Sequence, residues 1–457
     1  MPKIERKVLH RVEGEIQLKL IWENRRIKDA FIQNLNFRGF EFILENRPPL
    51  DALVITPRIC GICGHSHLIA TVKALEDIYR KNGYSIDISY KASLIRNVTH
   101  TVEIIQNHIR WFYLFVMPDF LKLEKDKDIL EDFTPLKGDK WKKALGISNE
   151  ILKIISILSG QWPHTSYAVP GGVMSDPINT DIVEAISITD SVIRFFEEEI
   201  IGTDINTYLS VESFDQFMDK INKGDLRRFI ELTFKNGMEK TGRAYDRFIT
   251  VDAILPCVRE GVKKKRSCKF DPSRIKEVDS HSFLTKDGTD FSRKRYSWAK
   301  AVRYDGLPME TGPLARKAVS KNSLFQDLIS RFGDSYLVRI WARIDEIGRM
   351  ALTLKSYLLS INTKEPSYIK PPVKIENLEG EGTGLIEAAR GSLLHRLELE
   401  KGKIKKYTII TPTTWNLGPR CERYHSPAEK AIIGLESSLK AEMILRSFDV
   451  CSVCTTH

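Results

Sequence analysis

Apolar residues recur with the period of an α-helix in several long stretches of the chain. The clearest stretch covers residues 336–361, where apolar positions alternate spacings of four and three and so form one stripe along a helix. Asn82-Gly83 is a typical helix end, and Met117-Pro118 predicts another because proline disfavours helix before it. The pattern predicts helices over residues 63–79, 93–116, 148–158, 180–200, 336–361 and 427–445.

Alternating apolar and polar residues predict strands in two places, residues 8–45 and residues 404–410. Residues 119–141 are charged and lysine-rich, which indicates a connection. Residues 257–305 are polar and rich in turn formers, so we expect a surface excursion of strands and loops there. The predicted fold class is α+β and predominantly helical, with long core helices and small peripheral sheets.

The composition is typical of a globular protein, with 42% hydrophobic and 28% charged residues. It excludes a mostly disordered chain, a collagen and a polytopic membrane protein. The longest apolar stretch, Trp111 to Met117, is far shorter than the roughly 20 residues of a membrane span. The N-terminus is charged and has no apolar segment of a signal peptide. We therefore expect a cytoplasmic protein without a direct membrane span, attached to a membrane only through partners.

The chain carries a formal net charge of +10. Such a charge is compatible with nucleic acid, an anionic surface or an acidic partner. Because no nucleic-acid recognition motif accompanies it, we predict no nucleic-acid binding. We assign the charge to solvated surface that is complementary to an acidic partner subunit.

Seven cysteines are present, an odd number and few for a chain of 457 residues. A disulfide framework is therefore not expected, and a reducing compartment is the default. Four of the seven form two Cys-x-x-Cys pairs, each followed by a histidine. The other three are isolated and are interpreted as structural, namely Cys257, Cys268 and Cys421.

The two pairs, Cys60 with Cys63 and Cys451 with Cys454, lie near opposite ends of the chain. A Cys-x-x-Cys turn lets two thiolates reach one metal ion, and four thiolates suit zinc, nickel or iron–sulfur chemistry. A closed structural zinc site is the simplest alternative. Zinc ribbons, however, hold their pairs roughly 15–20 residues apart. If both pairs share one site, the two ends of the chain meet, and residues 1–457 form one catalytic unit despite their length.

The segments around both pairs resemble the catalytic large subunit of a nickel–iron hydrogenase, in particular its uptake and sensory branch. They read Arg58-Ile-Cys-Gly-Ile-Cys-Gly-His-Ser-His67 and Asp449-Val-Cys-Ser-Val-Cys-Thr-Thr-His457. The resemblance extends over most of the chain through Arg11-Val-Glu-Gly14, Phe37-Arg-Gly-Phe-Glu41, 160–172, Glu310-Thr-Gly-Pro-Leu-Ala-Arg316, Ala388-Ala-Arg-Gly391, Thr414-Trp-Asn-Leu-Gly-Pro-Arg420 and 426–429.

This resemblance implies the metal ligands. Cys60 and Cys451 would be terminal nickel ligands, and Cys63 and Cys454 would bridge nickel to an iron that carries carbon monoxide and cyanide. A magnesium ion would be held by three further groups, which are the carboxylate of Glu41, the backbone carbonyl of Ile409 and the terminal His457. An oxygen-rich ligand set of this kind suits Mg²⁺.

The resemblance also implies the residues around the metals. Arg390 would stand over the metal pair, His67 would hydrogen-bond a bridging sulfur, and Glu13 would carry protons away from the sulfur of Cys451. Two further candidates for binding the cofactor are Asn107, where the family often has an aspartate near Arg390, and Asp449. Without that aspartate, we expect more positive charge above the metals.

Several of these side chains also have a purely structural interpretation. Glu13 lies on a strand-like segment and reads as a solvent-facing charge. Glu41 reads as half of a salt bridge with Arg38, and Arg390 reads as a surface cation.

The implied activity is reversible heterolytic activation of molecular hydrogen, used mainly for oxidation. An iron–sulfur small subunit is the implied partner, because this chain has too few cysteines for its own electron-transfer chain, and we expect a higher oligomer of the heterodimer. The alternative is a hydrogen sensor with the same site and slow turnover. A scaffold similar to the quinone-reducing subunit of respiratory complex I is disfavoured, because that relative lacks the metal cysteines.

Ile62 and Phe115 occupy positions that line the inner gas channel in the family. Side chains of this size resemble those at the same positions in the sensory and uptake branch, in which a narrow gas channel implies oxygen tolerance. Ordinary core packing is the alternative for both residues.

Overall fold

Long helices pack side by side at the centre of this computed structural model, which describes residues 2–123, 128–252, 260–263 and 267–456. The helices α4, α6, α7 and α13 pack pairwise, and α3 packs against a three-stranded sheet. The helices are α1 (Phe40–Leu44), α2 (Ala52–Ile55), α3 (Gly64–Lys81), α4 (Tyr90–Arg110), α5 (Met117–Phe120), α6 (Asp139–Ser159), α7 (Asn179–Phe195), α8 (Ile205–Leu209), α9 (Phe214–Lys220), α10 (Asp225–Lys235), α11 (Pro313–Val319), α12 (Ser323–Phe332), α13 (Tyr336–Leu359), α14 (Pro412–Leu417), α15 (Pro427–Ile432), α16 (Ser438–Ser447) and α17 (Ser452–Thr455).

The strands form small antiparallel sheets, which confirms the predicted fold class. The largest sheets have the orders β1-β2-β3, β6-β7-β8 and β13-β14-β15. The strands are β1 (Lys3–Val8), β2 (Gln17–Glu23), β3 (Arg26–Gln33), β4 (Ala168–Val169), β5 (Gly172–Val173), β6 (Phe248–Thr250), β7 (Gly261–Lys263), β8 (Ser267–Cys268), β9 (Ile275–Val278), β10 (Leu284–Thr285), β11 (Gly288–Thr289), β12 (Ala301–Tyr304), β13 (Gly380–Ala388), β14 (Gly391–Glu400) and β15 (Lys403–Ile410).

The helix predicted to end at Met117-Pro118 instead continues to Phe120. Between α4 and α5 the turns of Trp111–Val116 widen into a π-helix, and Pro118 lies in the first turn of α5. The N–H of Met117 donates to the carbonyl of Phe112, five residues earlier, so the proline follows turns that are wider than those of an α-helix. The prediction of a stop at this point was therefore wrong.

Other limits also differ from the predicted ones. The segment 34–45 is not a strand, because Gly39 turns the chain with φ +68° and α1 follows. The five residues of α1, four of them apolar, cannot distinguish a short helix from a strand by their pattern. Helix α6 begins at Asp139 rather than 148, and the single helix predicted over 427–445 is two helices with a turn at Gly434 between them.

The sheet β13-β14-β15 lies directly on α3. A Cβ added at Gly384 would stand 1.8 Å from the carbonyl oxygen of Ala70, and one at Gly382 would stand 2.0 Å from that of Ala74. Only glycine allows this approach of strand and helix. The contact fixes α3, which begins directly after Cys63, against this sheet. The sheet carries Arg390 in the turn between β13 and β14, and Ile409 near the end of β15.

Both ends of the chain contribute to the same hydrophobic core, which includes Leu9 and Val450. The N-terminal segment also pairs with the last one, because the N–H of Glu13 donates to the carbonyl of Val450 at 3.2 Å. Within the described part of the chain, no helix is both long and apolar enough to cross a membrane.

Candidate metal centre

Two short segments present the four cysteines of the motifs. Cys60 follows the 3-10 turn Thr56–Ile59, and Cys63 is the residue before α3. Cys451 is the residue before α17, and Cys454 lies within it. Each Cys-x-x-Cys pair thus stands at the start of a helix, where both sulfurs point to the same side.

The four sulfurs lie close together and are buried, with residue exposures between 0% and 7%. The Sγ–Sγ distances are 3.7 Å between Cys60 and Cys451, 3.4 Å between Cys63 and Cys454, and 3.0 Å between Cys451 and Cys454. Metal–sulfur bonds of about 2.3 Å place the sulfurs of one site within roughly 4 Å of one another. The pairs therefore share one site.

The donor atoms form two overlapping groups rather than one. The first contains Cys60, Cys451 and Cys454, and the second contains Cys63, His67 and Cys454, with the donor atoms of each group within 4.8 Å of one another. Cys454 belongs to both groups, so its thiolate is placed to serve two adjacent metal ions.

The thiols influence one another's ionisation. Hydrogen bonds from Cys451, Cys454 and Cys63 lower the pKa of the Cys60 thiol. The neighbouring Cys451 thiol, together with burial, raises the pKa of Cys63 and of Cys454. The first thiolate to form is thus stabilised by the remaining thiols, and a metal cation stabilises further ones.

Arg390 is only 3% exposed, which rules out its interpretation as a surface cation. Its Nε donates to Oδ1 of Asp449 at 3.1 Å, and Nδ2 of Asn107 donates to Oδ2 of the same carboxylate at 2.6 Å. The carboxylate of Asp449 therefore balances the guanidinium. This pairing counters the extra positive charge expected from Asn107.

The other end of the guanidinium faces a cavity. Nη1 of Arg390 is buried and has no hydrogen-bond partner among the described residues. The cavity is lined by Arg390 together with Cys63, Ser66, His67, Ala388, Leu393, Pro412, Thr413 and Cys454. A buried donor of this kind beside two sulfurs fits polar ligands on a metal, because an unpaired buried N–H is costly.

Arg316 holds the turn that carries Arg390. Its guanidinium donates to the carbonyls of Ala388 and Ala389 at 3.0 Å and 3.4 Å, and it binds both oxygens of Glu346 at 2.7 Å and 2.6 Å. Burial raises the pKa of Glu346, but Arg316 more than offsets this and holds it below its ordinary value. The sequence motif 310–316 was noticed, but its contact with residues about 70 positions later was not predicted.

Glu13 lies beside the second cysteine pair. The N–H of Ser452 donates to its backbone carbonyl at 2.8 Å, and its side chain is 23% exposed with Arg110 at 3.9 Å. Burial raises the pKa of this carboxyl, while Arg390 and Arg110 oppose the rise. Its position between the cysteines and the surface is compatible with both the proton-carrying and the structural interpretation.

Arg38 joins the two cysteine segments and was not predicted to do so. Its guanidinium donates to the carbonyl of Ile59 at 2.5 Å and to that of Val453, and its backbone N–H donates to Thr456 at 3.2 Å. The segment that connects β3 and α1 therefore fixes the two motifs relative to each other. The signal was the match of residues 37–41 to the family.

Glu103 is a second buried carboxyl that sequence reasoning missed. It accepts hydrogen bonds from the backbone N–H groups of His65 and Ser66 at 2.8 Å and 3.0 Å, and from the Ser66 hydroxyl at 2.5 Å. It thus caps the first turn of α3 next to the cysteines. Burial raises its pKa to about 7.

The residues expected to hold magnesium are placed only in part. Oε1 of Glu41 accepts from the backbone N–H of Ile409 at 2.7 Å, so these two lie together. His457 lies outside the described residues. Glu277 lines the same cavity as Glu41 and adds a carboxylate that was not predicted.

The two expected channel residues lie in different surroundings. Ile62 packs against the cysteine cluster, whereas Phe115 lies in the π-helical segment and packs against the main core. Of the two, Ile62 is the one that contacts the cysteine cluster.

A buried site of four sulfurs that an arginine faces is typical of a transition-metal enzyme. The family model described as nickel-dependent hydrogenase matches residues 38–128 and 139–457. The chain therefore belongs to the nickel-dependent hydrogenase family, as its resemblance predicted, and it is a hydrogenase large subunit.

Individual relatives are similar over nearly their whole length. The chain is 27% identical to the periplasmic [NiFeSe] hydrogenase large subunit of Desulfomicrobium baculatum, covering 100% of this chain and 95% of the relative. It is 26% identical to the uptake hydrogenase large subunit of Rhizobium leguminosarum bv. viciae, covering 98% and 94%. The solved Ni-Fe-Se hydrogenase from D. vulgaris Hildenborough in the reduced state superposes with a TM-score of 0.85 at 25% identity, covering 100% of both chains.

Proposed function

We propose that the four cysteines hold a nickel–iron centre at which molecular hydrogen is activated reversibly, mainly for oxidation. Cys60 and Cys451 would hold nickel, and Cys63 and Cys454 would be shared between nickel and iron. The observation that carries this proposal is the meeting of both Cys-x-x-Cys pairs at one buried site, where the sulfurs of Cys63 and Cys454 lie 3.4 Å apart. When bound, such a centre supplies the Lewis acid at which hydrogen is split heterolytically.

The buried guanidinium of Arg390 would face the carbon monoxide and cyanide ligands that the iron carries. Its Nη1 donor supports this assignment, because it lacks a partner among the described residues and lines the cavity beside Cys63 and Cys454. Asp449 orients the guanidinium from the other side, and Asn107 fixes Asp449. Asn107 and Asp449 thus act on the site through Arg390.

Protons leave the site through Glu13. Its backbone is bonded to the segment that carries Cys451, and its side chain reaches partial exposure. A carboxylate at that place accepts a proton from the sulfur and passes it outward. A magnesium ion near the end of the second motif would be held by Glu41, the carbonyl of Ile409 and His457, the last of which lies outside the described residues. The hydrogen bond between Glu41 and Ile409 supports the first two of these ligands.

Electrons pass to an iron–sulfur small subunit. Exposed apolar side chains on α1 and α2, namely Phe42, Ile43 and Val54, support an interface with a partner close to the first cysteine pair. We further propose a cytoplasmic location, a higher oligomer of the heterodimer, and one catalytic unit over residues 1–457 with a polar excursion at 257–305.

The test compares Cys454→Ser with Cys268→Ser in the purified heterodimer. Cys454 is in both donor groups, whereas Cys268 is exposed and outside them. We expect Cys454→Ser to abolish hydrogen-dependent reduction of a dye and to lower nickel and iron content, and Cys268→Ser to keep both. Full activity of Cys454→Ser would contradict the proposal. Slow turnover in the wild type with a full metal content would instead favour the sensor.

A further inference from the structure

A buried chain of hydrogen bonds leads from the metal cysteines into the sheet β13-β14-β15. Nδ1 of His67 lies 2.9 Å from Nε2 of His395, and Nδ1 of His395 lies 2.8 Å from the hydroxyl of Tyr407. Oγ1 of Thr71 lies 3.0 Å from the Tyr407 hydroxyl and 3.2 Å from Nδ1 of His395. All four side chains are buried, so solvent does not compete for these bonds.

Three elements hold this chain in register. His67 and Thr71 are one turn apart on α3, and the Thr71 hydroxyl also lies 3.0 Å from the carbonyl of His67. His395 lies on β14 and Tyr407 on the adjacent strand β15. A buried polar chain is costly unless its members are satisfied, and apolar side chains would fill the same space. Its presence next to the cysteines therefore points to a role beyond packing.

The direction of each hydrogen bond follows from the sulfur end. A ring nitrogen of His67 lies within 4.8 Å of the sulfurs of Cys63 and Cys454. A metal-bound thiolate carries no proton, so it can only accept, and in a hydrogen bond between the two groups the nitrogen of His67 donates. A neutral imidazole has one N–H and one acceptor nitrogen. Because Nδ1 of His67 is engaged by His395, Nε2 carries the proton that serves the sulfurs.

The bond between the two histidines then has one direction, in which Nδ1 of His67 accepts from the Nε2–H of His395. Nδ1 of His395 is left as an acceptor, and the nearer of its two hydroxyl neighbours is Tyr407 at 2.8 Å, with Thr71 at 3.2 Å. We propose that His395 and Tyr407 are positioning residues that fix the tautomer and orientation of His67, so that its N–H donates to a sulfur shared by both metals. This inference rests on the proposed nickel–iron centre. An N–H at the sulfur withdraws electron density from it and so tunes its donation to the metals.

The test is infrared spectroscopy of the metal-loaded heterodimer, with the carbon monoxide stretch as the probe. His395→Leu removes the donor to His67. We expect the band to move to lower wavenumber, because a sulfur without its hydrogen bond donates more density to iron. Hydrogen oxidation should fall by roughly 10- to 100-fold with nickel and iron content retained.

Two further variants separate tautomer control from packing. His395→Gln keeps an amide N–H near the position of Nε2, so the band should return toward its wild-type position. Tyr407→Phe removes the terminal donor and should give a smaller shift in the same direction, because Oγ1 of Thr71 stands 3.2 Å from His395.

Tyr167→Phe is the matched control. Tyr167 is a buried tyrosine whose hydroxyl is hydrogen-bonded to Thr99 and takes no part in the hydrogen bonds from His67 to Tyr407. Removal of this hydroxyl should leave the carbon monoxide band in place. A wild-type band in metal-loaded His395→Leu would overturn the inference, and so would equal shifts in Tyr407→Phe and Tyr167→Phe. If His395→Leu fails to bind metal, an unshifted carbon monoxide band in Tyr407→Phe would overturn the inference instead. A wild-type heterodimer without any carbonyl band would overturn the proposed centre itself.

Discussion

Arg390 brings a positive charge into the interior, and its neighbours determine what that charge can do. Asp449 neutralises one side of the guanidinium, and Arg316 holds the backbone on both sides of Ala389. Another donor, Nη1, is buried without a hydrogen-bond partner among the described residues, and Arg390 lines the cavity beside Cys63 and Cys454. The planar guanidinium is essential to this arrangement, because one side chain must donate to the carboxylate and toward the cavity at the same time.

Arg390→Lys should therefore reduce activity strongly although it keeps the charge. A lysine ammonium cannot bond Asp449 and reach the cavity together, so we expect hydrogen oxidation to fall by roughly 10²–10³-fold, as for the loss of one oriented donor. Dye reduction under hydrogen measures the effect. Arg396→Lys on the partly exposed part of β14 is the control. Wild-type turnover in Arg390→Lys would show that Arg390 does not act at the centre.

Glu103 predicts a pH dependence of stability. The folded protein holds its proton up to about pH 7, whereas an unfolded glutamate loses it near 4.5. Between these values only the folded state keeps the proton, so rising pH lowers the free energy of unfolding, by about 3 kcal/mol in total. Glu103→Gln has no such proton to lose.

The melting temperature of Glu103→Gln minus that of the wild type should thus increase as the pH is raised from about 5 to about 8. Thermal melts of both proteins across this range provide the measurement. Glu198→Gln, at an exposed position, should follow the wild-type curve. A constant difference between Glu103→Gln and wild type would contradict the raised pKa.

Ile62 predicts the response to oxygen. It packs against the cysteines, and removal of one methylene by Ile62→Val widens access to the sulfurs. We expect the variant to lose activity faster during brief exposure to air, followed as residual dye reduction. Phe115→Leu, which changes the main core instead, serves as the control. Equal rates of inactivation in air for Ile62→Val and wild type would contradict a narrowed channel.

At the scale of elements, the sheet β13-β14-β15 and helix α3 form the rigid frame of the site. Their backbones approach at Gly382 and Gly384, where any side chain would meet carbonyl oxygens of α3. Arg390 lies in the turn before β14, and Glu41 bonds the backbone of β15. A shift of this sheet would therefore move both Arg390 and the proposed magnesium ligands.

Gly384→Ala should destabilise the heterodimer strongly, because its Cβ would stand 1.8 Å from the carbonyl oxygen of Ala70. We expect a loss of roughly 1–3 kcal/mol or more, typical of an overpacked core, and a lower melting temperature. Gly146→Ala is the matched control, since Gly146 is exposed on α6 with open space around it. That change should stabilise by about 0.5–1 kcal/mol. A neutral Gly384→Ala would refute the close approach.

The sequence predicted the elements with a clear period, such as α3, α7, α13 and β15. It did not predict β13, because glycines at 380, 382 and 384 are typical of a loop, and the close approach of α3 that explains Gly382 and Gly384 is visible only in the structure. The cysteine pairs were found because their spacing is local. The supporting contacts of Arg38, Arg316, Glu103 and His395 were not found, because each joins residues far apart in the chain.

At the scale of the whole molecule, the two ends of the chain meet at one buried site. The N-terminal segment bonds the last one through Glu13, and Arg38 donates to both cysteine segments. The two Cys-x-x-Cys pairs therefore complete a site that neither end contains alone. A length that suggested several domains is thus compatible with one catalytic unit.

Metal analysis of the purified heterodimer, combined with infrared spectroscopy, tests the proposed nickel–iron centre most directly. We expect nickel and iron in equal amounts, together with carbonyl and cyanide bands that respond to hydrogen. Zinc as the only bound metal, with no such bands, would contradict it.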